Sequence, residues 1–259
     1  VGVWNRSLDK ARPLLAAGVK LAASPATLAR DVDAVITIVT DAAAIAAVYD
    51  GPNGLLAGDV HGRLFIEMST VRPDTEIALA RKVAAAGADF VECPVGGTVG
   101  PALTGKLIGM AGAEEAAYAR AQPILEQLCR KVERFGPVGA GASMKLAINL
   151  PLMVYWQALG EAWVLCRHLG LDTTRLLEFM AETSGGPNVL RARGGAIAQA
   201  LAGKPPETVT LDCDLLRKDL GTMIEEARAL GFGLPVAEAA LAVYDRASAA
   251  GWGGRDGVE

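Results

Sequence analysis

A chain of 259 residues, 51% hydrophobic and 21% charged, has the make-up of a globular enzyme and room for one large or two ordinary domains. A net charge of −4 without a long basic run argues against nucleic-acid binding by phosphate neutralisation, and no stretch is long and apolar enough for a membrane span. The start, Val1-Gly2-Val3-Trp4-Asn5-Arg6, is not a signal peptide; Cys93, Cys129, Cys166 and Cys213 lack CxxC spacing and read as reduced, mostly buried thiols of a cytoplasmic protein; His61 and His168 lie too far apart in sequence to suggest a metal site.

Taken in order, Val1–Trp4 is short, apolar and β-prone, and Ser7 is placed to cap a helix over Leu8–Ala17 that Gly18 ends. An extended piece begins at Leu21, and Ser24-Pro25 opens a second helix. Asp33–Val39 is a continuous apolar run of strand length, the pattern of a parallel sheet covered on both faces. Helix is expected over Ala42–Tyr49, strand over Leu64–Met68, helix over Pro73–Ala86, strand over Asp89–Cys93 and Leu107–Ala111, and helix over Ala113–Leu128. This alternation predicts a doubly wound α/β domain with ligands at the carboxyl ends of its strands.

Beyond residue 140 only helical periodicity remains: one long helix over Met144–His168, then helices from Leu171–Thr174 to Thr183, over Asn188–Ala202, Leu211–Leu230 and Pro235–Ala250. The expected organisation is therefore an α/β domain over residues 1–137 and an all-helical domain over 138–259 that begins with the connecting helix.

Gly139-Ala140-Gly141-Ala142-Ser143-Met144-Lys145-Leu146-Ala147-Ile148-Asn149 lies at that junction. The two glycines permit a tight turn or close approach to a ligand, and Lys145 and Asn149, four apart, share a helix face. A lysine there is either snorkelling from an apolar helix or placed for chemistry. The strand ends carry further candidates. Asn5-Arg6-Ser7 offers an amide, a guanidinium and a hydroxyl where an NAD enzyme would place a carboxylate, a set suited to a 2′-phosphate; the alternative is an exposed arginine at a helix start. Val39, Thr40, Ser69 and Thr70 follow buried strands, where the hydroxyls serve either a ligand or the cap of the next helix. Cys93-Pro94-Val95-Gly96-Gly97-Thr98-Val99-Gly100 is a glycine-rich loop whose N–H groups are free for a carboxylate or phosphate.

Trp4-Asn5-Arg6-Ser7, Met68-Ser69-Thr70, Cys93-Pro94-Val95-Gly96-Gly97, Gly136–Gly141 with Lys145 and Asn149, and Lys218-Asp219-Leu220 together resemble the β-hydroxyacid dehydrogenases, the group of 3-hydroxyisobutyrate dehydrogenase and the tartronate-semialdehyde and glyoxylate/succinic-semialdehyde reductases. The resemblance spans nearly the whole chain. It implies a Rossmann-like domain, a long interdomain helix and an all-α domain with the active site in the cleft, in a cytoplasmic homodimer or homotetramer without nucleic-acid or membrane partners. It puts the catalytic lysine on Lys145, substrate contacts on Asn149, Gly96, Gly97, Thr98 and Ser69, and cofactor contacts on Asn5, Arg6, Ser7, Val39, Thr40, Thr70 and Lys218, with NADP as cofactor, NAD as the alternative, and no metal. Lys218 without the resemblance reads as a surface lysine beside Asp219.

Two departures stand out. The G-x-G-x-x-G loop and first strand of the family are absent, so that about 25–30 residues, one strand–loop–helix half-unit, are expected to be missing ahead of Val1. Gly96 replaces the serine that helps hold the substrate carboxylate, with Thr98 placed to compensate. The implied reaction is hydride transfer between a nicotinamide and a hydroxyl or carbonyl carbon of a small hydroxyacid or semialdehyde, with Lys145 moving the proton; burial would lower the pKa of its amine. An imine reductase on the same fold and a non-catalytic dinucleotide-fold or dimerisation module are the alternatives.

Overall fold

The computed structural model describes residues 1–183, 185–206 and 208–259, apart from the side chains of Glu161, Val164 and Leu165. The chain divides into two compact units, Val1–Lys145 and Leu146–Glu259.

The first unit alternates strand and helix: β1 (Gly2–Val3), α1 (Leu8–Leu15), β2 (Lys20–Leu21), α2 (Pro25–Arg30), β3 (Ala34–Thr37), α3 (Ala42–Tyr49), β4 (Leu64–Glu67), α4 (Pro73–Ala85), β5 (Asp89–Glu92), β6 (Val95–Gly96), α5 (Val99–Leu103), β7 (Leu107–Ala113), α6 (Glu115–Leu128) and β8 (Cys129–Gly136). It is the Rossmann-like α/β domain expected from the alternation. Two helix starts are capped by side chains, Ser24 accepting from Thr27 N–H and Asp41 from Ala44 N–H. Ser7 occupies the cap position of α1, but its hydroxyl makes no cap bond. The Asn5 carboxamide instead accepts the Ser7 N–H at 2.8 Å, which corrects the expected role of that serine.

β3, β4 and β5 are parallel, β7 runs antiparallel to β5, and β8 is parallel to β7. β1 and β2 form a separate two-stranded parallel sheet. On one face of the main sheet Val35, Phe65 and Phe90 pack against Leu79 and Val83 of α4 and Tyr49 of α3; on the other Ile66 and Val91 pack against Ala121 and Leu125 of α6. Each fully buried residue of this kind adds about 1.5–3 kcal/mol.

β3 is not covered on both faces, as its apolar run predicted. Ile36 and Ile38 are 41% and 64% exposed, and among the described residues no strand pairs with the free edge of β3. β8 has no counterpart among the sequence-based expectations. Arg130, Lys131, Glu133 and Arg134 leave it no apolar alternation to read, and they suit an exposed edge strand.

The second unit is helical. α7 (Ala140–Cys166) begins in the first unit and continues into it, followed by α8 (Thr173–Ala181), α9 (Asn188–Leu201), α10 (Cys213–Ala229) and α11 (Pro235–Ala247). Asp172 and Asp212 cap α8 and α10 through the Arg175 and Leu215 N–H groups. Met153, Leu216, Leu220 and Tyr244 form one core, with the Tyr244 hydroxyl donating to Met153 O at 3.0 Å; Leu159, Leu177, Leu190 and Ile197 form another. No helix of the described residues is long and apolar enough to cross a membrane.

Candidate active site

The carboxyl ends of β1, β3 and β4 carry the residues expected to meet the cofactor. Arg6 is exposed beside the Asn5–Ser7 turn. Val39 N–H donates to Ser69 Oγ at 2.8 Å, and Ser69 N–H donates to Glu67 Oε1 at 2.8 Å. Glu67 also accepts a short hydrogen bond from Thr37, whose hydroxyl lies 2.8 Å from Tyr49 OH. Ser69, expected at the substrate, is 2% exposed and spent on this strap between the ends of β3 and β4. Thr40, exposed, and Thr70, half-buried, stand immediately beyond the strapped positions.

The glycine loop is more ordered than its composition suggests. Val95 and Gly96 pair with Gly109 and Ile108 of β7, and Thr98 then starts α5. Gly97 has φ +121°, and a Cβ there would lie 2.9 Å from Leu107 Cδ2, so glycine is required. Gly96 differs: a Cβ would meet Met110 Cε at 3.8 Å and Ile108 Cβ and O at 3.9 Å, ordinary contacts.

The first turn of α7 is tied to β5. Glu92 Oε1 accepts the N–H groups of Gly139 and Gly141 at 2.7 Å each and of Ala142 at 3.3 Å. These include donors that a helix start leaves without an intrahelical partner. The two glycines serve this junction. Gly139 takes φ +103°, and a Cβ at Gly141 would lie 2.3 Å from Met110 O, so the close approach is to the β7 backbone and not to a ligand. Lys145 follows one turn later, 9% exposed.

Glu92 was not among the residues singled out from sequence. Its only signal was an acid following the apolar pair Phe90-Val91 at the end of a strand. Thr37, Glu67 and Glu92 stand in register across β3, β4 and β5, so three polar side chains cross the buried face of the sheet where the strands end. Glu76 of α4 joins them, fully buried, with neither carboxyl oxygen hydrogen-bonded among the described residues. Burial, with Glu67 and Glu92 nearby, pushes its pKa up to about 10. Burial raises Glu92 to about 7, against the pull of the three N–H groups.

In the second unit Asn149 stands four residues beyond Lys145 on α7, and Lys218 of α10 is paired with Asp219 at 2.5 Å. A cavity of about 170 Å³ in this unit, lined by Trp156, Met180 and Leu201 among others, holds none of the candidate residues. No cluster of three or more His, Cys, Asp or Glu side chains among the described residues is arranged to hold a metal ion.

Residues 1–136 match the family described as the NAD binding domain of 6-phosphogluconate dehydrogenase, and residues 139–259 the one described as NAD-binding of NADP-dependent 3-hydroxyisobutyrate dehydrogenase. The chain belongs to the β-hydroxyacid dehydrogenase family. This makes it an oxidoreductase of the NAD(P)-dependent class that acts on CH–OH groups. It is 33% identical to L-threonate dehydrogenase of Cupriavidus necator over 90% of this chain and 77% of that protein. A 3-hydroxyisobutyrate dehydrogenase structure from Salmonella typhimurium superposes with a TM-score of 0.86 at 27% identity, covering 98% of this chain and 88% of the other. The structure titled Psf3 in complex with NADP+ and 2-OPP reaches a TM-score of 0.87 at 26% identity, covering 100% of this chain and 89% of that one.

Proposed function

We propose that this β-hydroxyacid dehydrogenase uses NADP to interconvert a small β-hydroxyacid and its carbonyl form, or to reduce a semialdehyde, with Lys145 as the general acid/base. The observation that carries the reading is the lysine itself: nearly buried, one turn past a helix start whose Gly141 N–H is held by the Glu92 carboxylate, and followed by Asn149 four residues on. Long cationic side chains are almost never fully buried unless they are paired, so the position of this one is held by its surroundings.

The donor set at the end of β1 fits a phosphorylated ribose. Arg6 is exposed, and the neighbouring turn is closed by the Ser7 N–H donating to the Asn5 carboxamide oxygen. Asn5, Arg6 and Ser7 would hold the 2′-phosphate, the Val39, Thr40 and Thr70 positions would line the rest of the dinucleotide, and Lys218 would add a further contact. When bound, the nicotinamide cofactor supplies or accepts the hydride. In reduction Lys145 Nζ donates a proton to the carbonyl oxygen; in oxidation it takes the hydroxyl proton. Gly97 and Thr98, just past Gly96 at the end of β6, would hold the substrate carboxylate through backbone N–H groups and the threonine hydroxyl, and Asn149 a substrate oxygen.

An imine reductase on this fold has only the atypical Gly96 in its favour. Four free cysteines suit the cytoplasm, and the exposed Phe179, Leu230, Phe232 and Val236 suit a homo-oligomer. Replacing Lys145 by alanine should leave a folded protein and lower turnover about a hundredfold or more. A folded variant with unchanged turnover would remove the lysine from the mechanism.

A further inference from the structure

The anchoring of α7 is built from parts distant in sequence. Glu92 closes β5, Gly112 lies beside it on β7, and Gly139 and Gly141 bring the helix start within reach. A Cβ at Gly112 would lie 2.1 Å from Glu92 Oε1 and 2.8 Å from Pro137 O, so the strand gives up its side chain where the carboxylate passes. One oxygen, Oε1, takes all three N–H groups; Oε2 is buried without a hydrogen-bond partner among the described residues. A carboxylate at a helix N-terminus completes orphan donors and complements the helix dipole. Each N–H bond to an ionised acceptor is about twice as strong as a neutral one.

Gly141 and Lys145 are one helical turn apart, so a small displacement of the first turn moves the amine with it. Proton transfer requires hydrogen-bond geometry at the reacting atom, and misplacement of about 1 Å costs about a hundredfold. We propose that Glu92 is a positioning residue for the reaction: by holding the Gly139, Gly141 and Ala142 N–H groups it fixes the first turn of α7 on β7 and sets where the Lys145 amine stands. The proposal rests on the reading of Lys145 as the acid/base group. The titratable groups around Glu92 are Glu67 on β4, Glu76 on α4 and Cys93, its neighbour in the chain. With its own carboxyl raised to about 7, Glu92 gains a proton just below neutral pH and its hold on the helix weakens there.

The test compares Glu92→Gln, Glu92→Asp and Lys145→Ala with the wild type by kcat, KM for NADP and substrate, pH profile and amide hydrogen exchange over residues 137–146. Glu92→Gln should lower kcat at least tenfold while KM for NADP stays within twofold. It should abolish an acid limb of kcat near pH 7 that the wild type shows, and speed exchange at the first-turn amides at least tenfold. Glu92→Asp keeps the charge and should retain the acid limb with a smaller loss of kcat; it carries the test should the glutamine variant not fold. A glutamine variant of lower melting temperature whose kcat and pH profile match the wild type would make Glu92 purely structural and overturn the proposal. Full turnover in Lys145→Ala would instead overturn the lysine reading, whatever the exchange data on Glu92→Gln.

Discussion

Gly112 and Glu92 are neighbours across β7 and β5, and the missing side chain of one is the space that the carboxylate of the other occupies. Gly112→Ala should therefore be costly: a methyl would have to displace a carboxylate held by three hydrogen bonds, or the Pro137 carbonyl. Overpacking of this kind costs about 1–3 kcal/mol, or several degrees of melting temperature for a chain of this size. Gly96→Ala, whose new methyl would make only ordinary van der Waals contacts, is the control and should melt within a degree or two of the wild type. Equal melting of the two variants would mean that the strand shifts freely at residue 112.

Glu76 makes stability depend on pH in an uncommon direction. Its folded pKa, about 10, lies above the ordinary carboxyl value of 4.5, so the folded protein keeps a proton that the unfolded chain loses. The stability tied to that proton is complete below about pH 4.5 and is lost as pH rises toward 10, at up to about 1.4 kcal/mol per pH unit. Glu92 acts with the same sign up to about pH 7. Glu76→Leu removes the larger contribution. Thermal melts from pH 5 to 8 should show a wild type that weakens with pH and a variant that weakens less and is the more stable of the two at pH 8. Parallel curves would mean that Glu76 is not held neutral.

The loop offers a test of substrate chemistry. Because a Cβ at residue 96 meets nothing closer than 3.8 Å, Gly96→Ser is sterically allowed and places a hydroxyl in the glycine loop. If the loop binds a carboxylate, the added donor should lower KM for small β-hydroxyacids by about tenfold or more, the equivalent of one hydrogen bond to a charged group. An unchanged or higher KM would indicate a loop shaped for another substrate.

Arg6 offers a test of cofactor choice. A guanidinium bonded to a 2′-phosphate is worth about 1.5–3 kcal/mol per bond, so kcat/KM should favour NADP over NAD by roughly ten- to a hundredfold. Arg6→Ala should remove most of that preference, leave NAD use nearly unchanged, and show a smaller effect at high salt, since Arg6 is exposed. Equal use of both cofactors by the wild type would return Arg6 to a surface role.

In the second unit, Asp256 is 2% exposed and accepts hydrogen bonds from Arg193 at 2.6 Å and from the Thr210 N–H at 2.9 Å. Burial alone would raise its pKa, but these partners outweigh burial and hold it below the usual carboxylate value. Asp256→Ala strands a largely buried guanidinium and should cost about 3 kcal/mol, read by chemical denaturation. A loss below about 1 kcal/mol would mean that water replaces the carboxylate.

Local chemistry was enough to determine most of the elements and their order, though not β6, α5 or β8. Strand-length apolar runs, helix caps and the loss of strand patterning after residue 140 are properties of neighbours in the chain, and so are the candidate positions at strand ends and the Lys145–Asn149 spacing on α7. Three features had no such signature. β8 is an edge strand whose charged residues show no alternation; its place comes from pairing with β7. Ser69 looks like any hydroxyl after a strand, and only the β3–β4 register turns it toward Val39 N–H and into the interior. The hold of Glu92 on α7 joins residues 47 to 50 positions apart, and nothing in either segment names the other. Hydrophobic periodicity specifies which face of an element is buried; which polar group meets which across the core depends on strand register and close backbone approach, and those exist only once the chain has folded.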